Sequence, residues 1–227
     1  MKTTQAVLER SQASQRSRAG RLATACGLLM LATAAAAAAQ DTAGVKQVDQ
    51  LVNKANATVA AIGAAKLQLS KTLEVYNALL SDTATDRKDL YKKLQKEMEN
   101  TEKRRADIAT RKGEMDTEAE SLFKSWADSE SAINDPALRK RTADRLTQTK
   151  ASYDRIATAG SRAAELYAPV MKALGDQVTY LGHDLNASAV ASLKPDAARL
   201  NKQADELVKR IDDTMATANK TVAELRP

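Results

Sequence analysis

The chain has 227 residues, with 35 Lys and Arg against 29 Asp and Glu, one His, one Cys and only 3% aromatic residues. This length fits one domain or at most two, and the scarcity of aromatic side chains argues against a β-sheet protein. Without the first 39 residues the chain keeps 30 basic and 28 acidic side chains, which is too small an excess to attract nucleic acid.

Residues 1–39 have the pattern of a secretory signal peptide. Four arginines between Arg10 and Arg21 precede an uncharged run over residues 22–39, and the run ends with small residues at Ala37 and Ala39. A basic start, an apolar middle and an A-x-A site are the three parts of such a signal. We therefore expect cleavage after Ala39 and export to a bacterial-type periplasm.

Cys26 raises the alternative of a lipoprotein. The four residues from Ala23 to Cys26 are a poor lipobox, because Ala stands where Leu is usual and the apolar run follows the cysteine. We expect no lipid anchor at Cys26, although lipidation and a retained N-terminal anchor stay open as alternatives. After cleavage at Ala39 the mature chain has no cysteine, which excludes disulfides and thiolate metal sites.

The first helix of the mature chain is predicted over residues 43–80. Eleven positions alternate spacings of three and four over five heptads, and ten of them are apolar, which is typical of a coiled-coil seam. These positions are Val45, Val48, Val52, Ala55, Val59, Ile62, Lys66, Leu69, Leu73, Tyr76 and Leu80.

A second helix is predicted over residues 86–132, after a run of small polar residues at 81–86. Thr101, Arg105 and Lys112 interrupt its seam, and polar seam positions can fix the register of neighbouring helices. The seam consists of Tyr91, Leu94, Met98, Thr101, Arg105, Ile108, Lys112, Met115, Ala119, Leu122 and Trp126.

Two more helices are predicted over residues 136–183 and 195–225. Pro136 suits a first helical position, with Asp135 as the preceding cap, whereas Pro169 is expected to kink the third helix. Residues 183–194 form a less regular connector. We expect an all-α protein, with residues 40–227 forming one elongated antiparallel bundle or coiled coil of about four long helices.

No motif for catalysis, a cofactor or a metal emerges from the sequence. The glycines form no G-x-G-x-x-G pattern, and His183 without a mature cysteine cannot build a common zinc site. We therefore expect no enzyme, no cofactor and no metal. The basic clusters 103–105 and 139–141 are interpreted as solvated helix faces, with an anionic lipid surface as the alternative.

Phe123 and Trp126 are the only Phe and Trp of the chain and lie three residues apart. Burial where two helices meet a turn is one interpretation of this pair. An exposed patch that binds a partner is the other.

Three segments carry a resemblance to a known family: 122–126 (LFKSW), 167–170 (YAPV) and above all 177–193 (QVTYLGHDLNASAVASL). On these segments the chain resembles an uncharacterised bacterial family, the domain-of-unknown-function family 2959, from about Leu122 to Val222. The resemblance implies a helical, coiled-coil envelope protein without an assigned activity, so no catalytic residue is carried over. Heptads do not explain the last segment, which makes His183 and Asn186 candidate partner-binding or structural residues.

The sequence thus predicts a non-enzymatic structural or protein-interaction protein of the bacterial periplasm or envelope. Its expected partner is another protein or a second copy, bound through the coiled-coil seams. A helical protein that lies on a membrane surface is the alternative, and a binder of small ligands with a pocket near His183 is a third hypothesis.

Overall fold

The computed structural model describes residues 44–225, which form five helices. Helix α1 spans residues 44–80, α2 Arg87–Ser131, α3 Pro136–His183, α4 Ala187–Ser192 and α5 Lys194–Leu225. No strand occurs within these residues, so the predicted all-α class is confirmed. The signal peptide and its cleavage site, predicted over residues 1–39, lie outside the described residues.

Side-chain caps set the start of the two longest helices. The carboxylate of Asp86 accepts a hydrogen bond from the backbone N–H of Asp89, 2.9 Å away, and begins α2. Asp135 accepts from the N–H groups of Ala137 and Leu138 at the start of α3. These bonds satisfy N–H groups that have no partner within the helix.

The residues from Gln47 onward form one compact unit, called the helical unit below. Within it α1 runs antiparallel to α2, because Lys54 pairs with Glu114 at 2.9 Å while Thr72, further along α1, contacts Thr101, earlier in α2. Helix α2 also packs against α3, and α3 packs against α5.

Helix α5 also packs against α1. The side-chain amides of Asn77 and Asn201 bond to each other twice, at 3.1 and 2.9 Å, and Lys66 pairs with Asp212. The phenol of Tyr76 reaches a third helix, since it donates to Oε1 of Gln177 in α3. Helix α1 therefore contacts all three of the other long helices.

The buried face of α1 is wider than a coiled-coil seam. Nine of the eleven seam positions are buried, whereas Val45 is exposed and Lys66 is half-buried. A broad apolar face is typical of a helix that packs among several others. A second row is buried beside the seam: Leu51, Thr58, Ala61, Ala65, Thr72, Val75 and Leu79.

The connection between the last two long helices differs from the expected irregular connector. It contains the six-residue helix α4, and α5 begins at Lys194. The sequence predicts a kink at Pro169, and α3 continues through this residue as one helix. The chain thus turns from α3 into α5 through a short helical corner.

Candidate functional site

The segment 177–193, which carries the most specific resemblance, forms the corner between α3 and α5. Asp184 follows the last residue of α3, and its two carboxylate oxygens accept from the backbone N–H and the side-chain amide of Asn186 at 2.9 and 2.7 Å. Asn186 in turn accepts from the N–H of Ala189 at 2.8 Å and caps α4. Two consecutive caps therefore redirect the chain.

The same segment packs against the core. A Cβ atom at Gly182 would lie 2.6 Å from the hydroxyl of Tyr91, so the glycine leaves room for that tyrosine of α2. Capping and packing therefore account for about half of the segment. Its buried side chains are Val178, Leu181, Ala189, Val190 and Leu193.

His183 is the last residue of α3, and its side chain is exposed. No hydrogen bond among the described residues involves His183, so its imidazole is not bonded to Asn186, which bonds to Asp184 and Ala189 instead. Tyr180, one turn earlier, is 45% exposed, and its hydroxyl lies 3.2 Å from that of Ser192. These groups form an open polar surface.

Phe123 and Trp126 are half-buried near the end of α2, against a core cluster that includes Leu122 and Val48. The ring of Phe123 meets Tyr153 of α3 edge to face, with centroids 5.6 Å apart, and the ammonium of Lys150 lies 5.4 Å from its centroid. The structure therefore places the pair at a helix junction with part of each ring accessible.

Beyond this junction α2 and α3 continue as a two-helix hairpin. No residue between Ala127 and Arg145 is buried, in contrast to Leu122 and Ile156, which belong to the core cluster shared with α1 and α5. Residues 127–145 are called the hairpin tip below. Leu138, in the first turn of α3, is 51% exposed there.

An open groove of about 650 Å³ runs between α2 and α3 on the surface of the helical unit. Its apolar wall is formed by Met98, Met171 and Val178, and charged side chains such as Glu99 and Lys103 lie at its rim. His183 does not line it. The volume is in the range of small-ligand sites, but a groove this open leaves much of a bound ligand in water.

Glu97 is a buried carboxylate that heptad analysis misses. Its Oε1 pairs with the ammonium of Lys71 at 2.9 Å, and its Oε2 accepts from Gln68 at 2.7 Å and from Asn100 at 3.3 Å. The pKa of Glu97 is lowered to about 2, and the hydrogen bond from Lys71 is the largest cause, with that from Gln68 the second. The carboxylate is therefore ionised and joins α1 to α2.

A threonine pair continues this polar contact inside the core. The hydroxyls of Thr72 and Thr101, both fully buried, lie 2.8 Å apart, and each is within 3.1 Å of the backbone carbonyl of Glu97. Polar groups that satisfy one another in a buried interface favour a single helix register. Thr101 is one of the polar seam positions noted in the sequence, and its partner lies on α1.

Residues 44–225 contain neither a cluster of metal-ligating side chains nor a helix that could span a membrane. No three His, Cys, Asp or Glu side chains in this part of the chain converge as metal ligands. No helix there is both long and apolar enough to cross a membrane.

The helices and their contacts define an all-α protein of long, mutually packed helices. A family model described as protein of unknown function (DUF2959) matches residues 37–225, and the chain belongs to this family. The resemblance predicted from residues 122–222 is therefore confirmed, and the match also includes α1. No curated protein and no solved structure matches the chain.

Two buried tyrosines provide a matched pair for testing the core. Tyr76 donates to Gln177, whereas the hydroxyl of Tyr167 is buried without a hydrogen-bond partner among the described residues. We expect Tyr76→Phe to lower the free energy of unfolding by about 1 kcal/mol, and Tyr167→Phe to leave it unchanged or raise it by up to about 1 kcal/mol. Urea unfolding measures both; equal losses would show that the Tyr167 hydroxyl is hydrogen-bonded.

The corner can be tested with Asn186→Ala and His183→Ala. Loss of the Asn186 cap is expected to cost about 1 kcal/mol of stability, while the exposed His183 should matter by less than about 0.5 kcal/mol. Thermal and urea unfolding give the two values. A larger loss for His183→Ala than for Asn186→Ala would contradict this assignment of the corner.

Proposed function

We propose that this protein is a non-enzymatic structural or protein-interaction protein of the bacterial periplasm or envelope, acting as an elongated antiparallel bundle of four long helices. The observation that carries the proposal is the use of the segment 177–193. Asp184 and Asn186 cap the corner and Leu181 and Leu193 are buried in the core, whereas His183 is exposed. This use of the segment for capping and packing supports a structural role.

The exposed surfaces of the helical unit support an interaction role. Leu67 is 69% exposed on α1 and Leu138 is 51% exposed at the hairpin tip. The groove between α2 and α3 adds an apolar wall around Met98 and Met171. Single exposed leucines are ordinary at a protein surface, so the groove gives the stronger support for contact with a partner.

Site-specific photo-crosslinking in growing cells tests the protein-interaction role. A photoreactive amino acid is introduced at Leu67, Leu138 or Thr179, and at exposed Lys209 as the control. We expect a discrete adduct with one envelope protein, or with a second copy, at one or two of the first three positions. Adducts that are absent, or the same at all four positions, would contradict the proposal.

His183→Ala then provides a second readout in the same cells. If the variant keeps its stability but loses the adduct, His183 binds the partner. If the adduct persists, the exposed histidine has no part in that contact.

Export is tested by fractionation and by the mass of the mature chain. We expect the protein in the periplasmic fraction with an N-terminus at or within a few residues of Gln40, because small residues at Ala37 and Ala39 fit signal peptidase. A cytoplasmic chain that keeps Met1 would contradict the envelope assignment. A mature chain that starts at an acylated Cys26 would place the protein on a membrane by a lipid anchor.

A further inference from the structure

The hairpin tip carries an arrangement that packing within the described residues does not explain. Leu138, Arg141 and Arg145 lie three and four residues apart on α3 and therefore share one helix face. All three side chains are exposed. This face contributes nothing to the core clusters of the helical unit.

The two arginines differ from their basic neighbours. Arg139 donates to the backbone carbonyl of Ile133, and Lys140 pairs with Asp144 at 2.7 Å. Within the described part of the chain, Arg141 and Arg145 make no ion pair, so both guanidinium groups are available to an external anion.

The charges of the tip are also segregated. The tip contains four basic and four acidic side chains: all four basic ones lie on α3 together with Asp144, whereas Asp128 and Glu130 lie on the end of α2 and Asp135 caps α3. The first turn of α3 contains no acid beyond the capping Asp135.

We propose that the face formed by Leu138, Arg141 and Arg145 docks on an anionic lipid surface. Guanidinium groups bind phosphate oxygens in pairs of hydrogen bonds, and a leucine beside them can enter the boundary between headgroups and acyl chains. Residues 127–145 contain no aromatic side chain, so the tip has no stacking platform for nucleic-acid bases. The tip has both elements of lipid binding, cations and an apolar side chain at the free end of a hairpin.

Vesicle sedimentation of the full chain tests this contact. The substitutions are Arg141→Gln with Arg145→Gln in one variant and Leu138→Ser in another. The control replaces Lys103 and Arg104 by Gln, which removes the same charge from exposed positions on α2. All proteins share residues 1–43, so differences between them report on the substituted positions.

Vesicles of phosphatidylcholine with added phosphatidylglycerol are compared with vesicles of phosphatidylcholine alone. We expect the double arginine variant to bind the anionic vesicles about 10- to 30-fold more weakly than the unsubstituted chain at low salt. Leu138→Ser should also weaken binding, the control should change it much less, and high salt should remove the difference.

Three outcomes would overturn the proposal. These are equal losses for the arginine variant and the Lys103/Arg104 control, unchanged binding in both tip variants, and equal binding to the two vesicle types. Loss of binding to a single-stranded oligonucleotide, with vesicle binding intact, would assign the face to nucleic acid instead. Circular dichroism checks that each variant keeps its helices. If the double arginine variant unfolds, vesicle binding by Leu138→Ser decides between the outcomes. Crosslinking at Leu67 and Thr179 is independent of all these outcomes, whereas Leu138 belongs to both tests.

Discussion

Leu69→Ala should lower the free energy of unfolding by about 3 kcal/mol. Leu69 is fully buried in the main core cluster, which draws side chains from α1, α2, α3 and α5. Truncation removes apolar contacts and leaves a cavity that long, mutually packed helices close only in part.

Leu67→Ala is the matched control for this substitution. Leu67 lies two residues earlier in the same helix and is 69% exposed, so its replacement by alanine should change stability by less than about 0.5 kcal/mol. Urea unfolding followed by circular dichroism gives both values. Similar losses at the two positions would mean that α1 is rotated relative to the packing described here.

The second large effect is expected at Glu97. Replacing it by alanine should cost about 2 kcal/mol, because Gln68 and Asn100 lose a charged acceptor at a buried position. Glu99→Ala is the control, since Glu99 is exposed and lies two residues away on α2. The control substitution should change the midpoint of urea unfolding very little.

The lowered pKa of Glu97 also predicts how the stability of the fold depends on pH. Its pKa is lowered from 4.5 to about 2 in the folded protein, so the unfolded chain takes up this proton first as the pH falls. The contribution of Glu97 is complete above pH 4.5 and is lost as the pH approaches 2. Stability should therefore fall less steeply over this interval in Glu97→Gln than in the unsubstituted chain.

The difference between the two pH curves isolates this residue. Lys54 also lowers the pKa of Glu114, so other carboxylates contribute to the acid sensitivity of both proteins. Urea midpoints measured across the interval give the comparison. Parallel curves would show that Glu97 is not ion-paired in solution.

Heptad spacing predicts the long helices and their apolar faces, but not α4. For example, the sequence predicts a helix over 86–132 and the structure has Arg87–Ser131, because Asp86 is a favourable cap and the seam from Tyr91 to Trp126 keeps its period. The period fixes which side of a helix is apolar. It does not reveal how many neighbours that side meets, and the second buried row of α1 is therefore visible only in the structure.

The polar contacts and the corner required three-dimensional information. Glu97 looks like any solvated acid in the sequence, because its partners Lys71 and Gln68 lie on another helix. Helix α4 has six residues, too few to show a helical period. Asn186 could be recognised as a cap from its residue type, whereas the exposure of His183 depends on where α3 ends.

The central place of α1 affects how the chain reaches its folded state. The partner of Lys66 is Asp212, which lies 146 positions later in the sequence, so α1 is completed by a helix that is synthesised well after it. Until α5 has been made, buried residues such as Ile62 and Leu69 lack part of their cover. Apolar surface that is exposed in this way during synthesis promotes aggregation until α5 docks on α1.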